Sequence, residues 1–479
     1  MRRRKLFRLF LLAMVLLLLS LVVVFAWGAP RLMEVSPASG AIDVPAGSVL
    51  QLTFSRLMDS GSVAERLSLE PAIPGSYSWN GSRLVFTPAQ PWPAGVTVQV
   101  KLMAGARSDR FPSLPMLRGF DTTFSIRQPR LAFLYPSTGP ANIFLFDPLT
   151  GEIDPLTNVY SGVSDFDVSP DGAAIYYSAG NTQGESDIFR LSLSGQSRAQ
   201  DDLPTPVFIQ PESILSCPQA QCRLVDVSVD GDYLAYERSA LATAGKPALT
   251  QVWILPLADP GQAYLAGDPE HQTLGPSWSS SGVLVYYDTN QAAYIVVEPQ
   301  AGAQATRRAR WPNQTGQPGD WQPNGSAYAA AEIFFLDPTT ATGLQNLERL
   351  ADSHLMVYPM NGSDVQDLTG QDGIEDAVPA YSPDGLWLAF ARKFLGVRQW
   401  SPGRQLWLQR LTNGEAFPLT NDPLYNHYDF AWSPAGNRLA FVRFNQSTLT
   451  EPPEVWTIDP QTGRATQIII GGYAPQWIP

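Results

Sequence analysis

Acid–base or metal chemistry in this chain would have to rest on few side chains. Histidine occurs three times in 479 residues, as His271, His354 and His427, and the three are far apart in sequence. There is no Gly-x-Ser-x-Gly elbow, no His-Glu-x-x-His pair and no phosphate-binding glycine loop. No catalytic residue, metal site or cofactor is therefore expected. One constellation remains: Asp167, Asp226 and Asp320 each stand two residues ahead of a recurring turn. The equivalent places elsewhere hold Ser277, Ala380, Ala431 and Gln476. Three carboxylates around a channel would attract a cation or serve a hydrolase or lyase. The plainer expectation is that small or acidic side chains fit there and bond neighbouring loops.

The elements that must position these carboxylates are hairpins. In the clearest, Tyr381 ends a strand and Ser382, Pro383, Asp384 and Gly385 reverse the chain. Proline presets φ, aspartate bonds its own backbone, and glycine accepts positive φ. A run of large and small apolar residues from Leu386 to Ala391 follows, as in a strand covered on both faces. The turn glycines recur at 172, 231, 282, 325, 385 and 436, at separations of 59, 51, 43, 60 and 51 residues. That period points to a propeller or another repeat array. The residue before the turn is Trp278, Trp321, Tyr381, Trp432 or Trp477; these read as fillers between repeats, with a stacking site for sugars as the lesser alternative.

Further strands follow each hairpin. One ends twice in Asp-Pro-x-Thr-Gly (147–151 and 459–463), and another ends in Leu-Thr at 156–157, 368–369 and 419–420. Four strands per repeat is the propeller blade. These residues resemble the TolB-type propeller repeat family, best matched at 381–385 and 432–436, over residues 129–479. The units at Gly231, Gly282 and Gly325 depart from its Ser-Pro pattern. Residues 474–478 repeat the innermost strand, and 130–135 begin where that strand would continue, so a blade built from both ends is expected. It closes the ring and leaves no sheet edge open. Seven four-stranded blades result, with six as the alternative because the family often has six. Some relatives carry a hydrolase domain after the propeller; with the closing blade at 479, none is expected here.

Residues 31–127 lack the repeat. Alternating strands (48–54, 96–100, 121–126) and an Asn80-Gly81 hairpin suggest seven short strands, an immunoglobulin-type β-sandwich. Pro37 and Gly40, Phe54 and Ser55 before Met58 and Asp59, and Phe86 to Pro88 before Pro93 and Gly95 resemble the bacterial Ig-like family named after the S-layer protein SbsA. That resemblance implies a spacer or adhesive module. The fold class expected is thus all-β.

Residues 1–8 carry five positive charges, and 9–27 are nineteen residues without a charge. Such a run crosses a bilayer as a helix, and its basic flank places the N-terminus in the cytoplasm. A signal anchor is favoured over a cleaved signal peptide because the run is longer than a usual signal core. The bulk is then extracytoplasmic. Setting the five positive charges apart from the formal −12 leaves −17 for the exported part, which disfavours nucleic acid as partner. Cys217 and Cys222, five apart in a loop, read as a disulfide in that compartment. Tyr425, His427 and Tyr428 are expected on a propeller rim as a contact patch, with residues 371–376 adding negative charge. The function expected is a non-enzymatic, membrane-anchored scaffold that binds an envelope protein or cell-wall polymer, the TolB resemblance implying a protein. A structural or adhesive surface component is the alternative.

Overall fold

The computed structural model describes residues 28–42, 44–89, 92–193, 208–241, 248–300, 304–335, 351–396 and 399–479, together with Met14. The expected membrane segment, 9–27, lies outside the described residues apart from Met14. Among the described residues no helix is long and apolar enough to cross a membrane. The chain divides into two units, 1–128 and 129–479.

In the first unit, β1 (Leu32–Ser36), β2 (Leu50–Phe54), α1 (Ser60–Ala64) and β3 (Leu67–Glu70) are followed by β4 (Gly75–Asn80) and β5 (Arg83–Pro88). Strands β6 (Thr97–Leu102) and β7 (Phe120–Ser125) complete it. One sheet has the order β1-β2-β5-β4 and the other β3-β6-β7. With the strands lettered A to G in chain order, these are the ABED and CFG sheets of a constant-type immunoglobulin sandwich. Alternation in β2 and β6 sends Leu50, Leu52, Phe54, Val98, Val100 and Leu102 into the core. There they surround Trp92, whose indole donates to the Ser48 carbonyl at 2.8 Å.

The second unit opens with β8 (Arg130–Tyr135), β9 (Asn142–Phe146) and β10 (Ile153–Pro155). Next come β11 (Val163–Val168), β12 (Ala174–Gly180), β13 (Ser186–Ser192) and β14 (Glu212–Leu215), then β15 (Ala220–Val227), β16 (Tyr233–Ala240), β17 (Thr250–Pro256) and β18 (Tyr264–Leu265). A further set is β19 (Thr273–Trp278), β20 (Leu284–Asp288), β21 (Ala293–Gln300) and β22 (Gln304–Pro312). It is followed by β23 (Asp320–Trp321), β24 (Ala327–Phe335), β25 (Ala351–Pro359) and β26 (Gln366–Asp367). The last two sets are β27 (Ile374–Tyr381), β28 (Trp387–Phe394), β29 (Gln405–Arg410) and β30 (Ala416–Pro418), and β31 (Tyr425–Trp432), β32 (Leu439–Asn445), β33 (Glu454–Ile458) and β34 (Ala465–Ile470). Within each set, neighbours in sequence pair antiparallel in the sheet. The remaining strand, β35 (Tyr473–Ile478), pairs antiparallel with β8, so both ends of the unit share one sheet. These are the sheets of a β-propeller.

The second strand of a set is covered on both faces. Leu388, Ala389, Phe390 and Ala391 of β28 have no exposed surface. Apolar side chains of adjoining sets interdigitate, as Leu134, Ile143 and Leu145 do with Phe166, Ile175 and Tyr177. Each fully buried large side chain stabilises by roughly 1.5–3 kcal/mol.

The turn has a hydroxyl at its centre. Ser382 Oγ donates to Asp384 Oδ1 at 2.5 Å and accepts from the Trp387 N–H at 2.9 Å. Ser169 with Asp171 and Ser228 with Asp230 repeat the arrangement. The Leu-Thr element has a matching role, because Thr157, Thr369 and Thr420 each accept the N–H of a third strand through Oγ1. Ser382 is buried, so Ser382→Ala leaves the Trp387 N–H without an acceptor. The expected loss is about 1–3 kcal/mol in a urea titration, with Ser363→Ala, in an exposed turn, as the neutral control.

Candidate functional site

The aligned positions ahead of the turns form one linked circuit around the propeller. Asp167 Oδ2 accepts the Val227 N–H of the next inner strand at 2.7 Å, and Asp226 Oδ2 accepts that of Trp278 at 2.6 Å. The Trp321 indole donates back to the Ser277 carbonyl at 3.2 Å. Asp320 Oδ2 accepts the Tyr381 N–H at 2.6 Å. The Trp432 and Trp477 indoles donate to the Ala380 and Ala431 carbonyls, each at 3.0 Å. Gln476 Nε2 then donates to the Phe166 carbonyl at 3.0 Å and returns the circuit to β11.

A simple rule generates all of these links but the last, which the Gln476 amide makes. Where the position holds aspartate, its carboxylate takes a main-chain N–H of the following strand. Where it holds serine or alanine, the tryptophan of the following strand reaches back to its carbonyl. Trp278 follows an aspartate, and its Nε1 has no partner among the described residues. The three carboxylates are therefore engaged in holding neighbouring strands, where the plainer expectation had neighbouring loops.

A second tier lies two residues earlier. Leu224, Gly275, Val378, Asp429 and Ala474 adopt positive φ of 49°, 61°, 53°, 61° and 51°. Each marks a bulge where the pairing register of the inner strand shifts. Bulges redirect main-chain groups away from the ladder. Next to them, Asp165 Oδ2 accepts from Val225 N and Glu237 Oε1 from Gly275 N, both at 2.7 Å. Asp429 likewise accepts from Ala474 N.

Burial dominates the electrostatics. Desolvation pushes Asp165, Asp167, Asp320 and Asp429 up to about 6, against the N–H bonds that favour the charged form. Asp226 is raised further, by its own burial and then by the charge of Asp167 beside it. Among the described residues no three His, Cys, Asp or Glu side chains are arranged to hold a metal ion.

The histidines stay apart. His271 precedes β19, and its Nδ1 lies 2.7 Å from Asp288 Oδ2. His354, in β25, places Nδ1 2.8 Å from Asp367 Oδ2 and lies tilted against the Phe334 ring at 5.0 Å. His427 overturns its assignment to the rim. It is a strand residue of β31 with no exposed surface, packed on Phe441, its Nδ1 donating to the Arg404 carbonyl at 2.9 Å. Desolvation lowers it to about 4, so it is neutral at pH 7. Tyr425 and Tyr428 are half-buried. The Arg443 guanidinium stacks on Tyr425 and on Trp456, at 4.2 and 4.1 Å. The negative charge expected from 371–376 is largely spent. Asp376 is buried in a two-bond pair with Arg392, at 2.7 Å for each bond, and Glu375 pairs with Arg404.

Other side chains supply exposed surface. Connections from second to third strand, and from fourth strand to the next inner strand, share one end of the propeller. That end exposes Tyr160 (92%), Phe335 (70%), Trp400 (57%), Leu424 (49%) and Leu449 (72%). The strongly exposed aromatic rings among the described propeller residues, Tyr160, Phe334, Phe335 and Trp400, all lie there. The opposite end exposes aliphatic Leu149, Val229 and Leu386. Cys217 and Cys222 are joined in a disulfide that closes the short loop into β15.

The class of protein is thus an immunoglobulin-type sandwich followed by a β-propeller. Residues 28–124 match the bacterial Ig-like domain family. No curated protein matches the chain. Among solved structures, the chain is similar to a putative TolB from Agrobacterium tumefaciens, at 16% identity over 72% of this chain and 91% of that one, with a TM-score of 0.39. It is also similar to TolB from Acinetobacter baumannii, at 12% identity over 86% and 83%, with a TM-score of 0.43. An oligogalacturonate lyase in complex with manganese is similar at 12% over 69% and 71%, with a TM-score of 0.35.

The raised carboxylates set a sign for pH dependence. A carboxyl whose folded pKa exceeds its unfolded value of about 3.9 holds its proton more tightly when folded. Its contribution is full below about pH 4 and is lost as pH rises through about 6. Asp320→Asn keeps an acceptor for the Tyr381 N–H and removes one such group. The variant is expected to gain on the order of 2 kcal/mol at pH 7.5 and nothing at pH 4, read from urea midpoints at the two pH values.

Proposed function

We propose that this chain is a non-enzymatic scaffold of the bacterial cell envelope, held in the membrane by residues 9–27 with the N-terminus cytoplasmic. The sandwich and a propeller of seven blades lie outside the cytoplasm, and the propeller recognises an envelope protein or polymer through one rim. Three features support the reading. The aligned carboxylates hold strands together, so they serve the frame. The Cys217–Cys222 disulfide suits an oxidising compartment. The observation that carries the proposal is that Tyr160, Phe335, Trp400, Leu424 and Leu449 are all exposed on connections that share one end. Aromatic surface of this kind is favoured at the centres of protein interfaces. A protein is therefore preferred over a polymer as occupant. The contact surface is placed on the connections, not on the strand residues Tyr425, His427 and Tyr428.

The test is capture from native envelope extract by the detergent-solubilised chain, read by mass spectrometry. Trp400→Ser with Leu424→Ser is expected to reduce recovery of an enriched envelope protein at least tenfold, while Leu149→Ser with Leu386→Ser at the other end leaves it unchanged. Equal recovery with both pairs would place the contact elsewhere. Retention on cell-wall material with no enriched protein would favour the structural or adhesive alternative.

A further inference from the structure

The sandwich has a polarised end of its own. The uncharged run 9–27 is followed at once by Gly28. A β-carbon on Gly28 would lie 3.0 Å from Leu114 Cδ1 and 3.8 Å from an Arg56 guanidinium nitrogen. The long connection from β6 to β7, residues 103–119, therefore sits where the chain enters the sandwich. It is fixed there by main-chain bonds from Asp59 N to the Arg107 carbonyl and from Asp109 N to the Leu57 carbonyl. A hydrogen bond from Ser55 N to the Arg31 carbonyl adds the first residues of the unit to the same end.

The composition of this end is unlike the rest of an acidic protein. Phe111 is 98% exposed and Leu117 is 51% exposed. Around them Arg56, Arg107, Arg110 and Arg118 are all exposed. The acidic groups close by are largely engaged: Asp59 caps α1 by accepting from Ser62 N, and Glu65 pairs with Arg66 at 3.1 Å. Asp109 is the exposed carboxylate within the connection. Strand β7 leads away from this end toward Ser125.

An exposed ring flanked by guanidinium groups, beside the end of an uncharged run, fits the layer between lipid tails and water. Phenylalanine and leucine side chains settle at that depth, and arginines are drawn to an anionic leaflet. We propose that residues 103–119 form a seat on the membrane: Phe111 and Leu117 enter the headgroup layer while Arg56, Arg107, Arg110 and Arg118 pair with phosphates of anionic lipids. The inference rests on the anchored reading given above. The seat would fix how the sandwich stands on the bilayer, which a single tether leaves free.

Both native cysteines are spent in the disulfide, so one added cysteine gives a single label site. The full chain, with a nitroxide at Phe111→Cys or at Ser76→Cys toward the other end of the sandwich, is reconstituted in phosphatidylcholine vesicles with or without one-third phosphatidylglycerol. In the anionic vesicles the label at 111 is expected to favour oxygen over a water-soluble nickel chelate as relaxing agent, and the label at 76 the reverse. Arg107→Gln, Arg110→Gln and Arg118→Gln together should cut the contrast at 111 several-fold. Equal chelate access at both sites, in a chain that resists carbonate extraction, overturns the seat while leaving the anchor intact. The same contrast without phosphatidylglycerol overturns the recognition of anionic lipid. Extraction of the chain by carbonate removes the anchor, and the seat falls with it.

Discussion

The propeller depends on desolvated hydrogen bonds between consecutive inner strands. Inner strands of adjoining blades are not partners in a common ladder around the axis, so their facing polar groups need other partners. The circuit through Asp167, Asp226, Ser277, Asp320, Ala380, Ala431 and Gln476 supplies them chiefly with two devices, a carboxylate acting forward and an indole acting backward, and the Gln476 amide closes it. A buried carboxylate costs desolvation, visible in the raised values of Asp167 and Asp320. An indole link carries no such charge but requires a large ring at the blade interface. The chain mixes the two, and the charged links gather toward one side of the ring.

That mixture explains which parts of the architecture could be read from residues. The Ser-Pro-Asp-Gly turn is legible because each position has a local job, down to the serine hydroxyl shared between Asp384 and the Trp387 N–H. The closing strand is legible because 474–478 repeats a pattern whose continuation lies at 130–135. The seven strands of the sandwich are legible for a similar reason, since alternation in β2 and β6 exposes the buried face directly. The aligned aspartates could also be found by counting back from the turn. Their partners could not, because each lies roughly fifty to sixty residues downstream on another strand.

Three features were hidden for physical reasons. The bulges fall at Leu224, Val378 and Ala474, residues that carry no signature of positive φ, and at Gly275 and Asp429, whose types tolerate it. The ladder around them imposes the conformation, and a β-branched residue such as Val378 is an outlier there. His427 misled for a related reason. A polar, aromatic stretch reads as a loop, yet β31 begins at Tyr425 and turns the imidazole inward onto Phe441. The exposed rim was missed because Phe335, Trp400 and Leu424 are isolated apolar residues, and isolation in sequence says nothing of which end of the propeller they share.

The pairing of β35 with β8 has a consequence in time. About 340 residues separate the two strands, and at ordinary rates of synthesis that interval is on the order of tens of seconds. Throughout it β8 waits with one edge unpaired, and the hydrogen-bonded circuit lacks its last member, Gln476. Until then the second unit is an open arc of sheets, and the ring becomes a ring only when its final strand arrives.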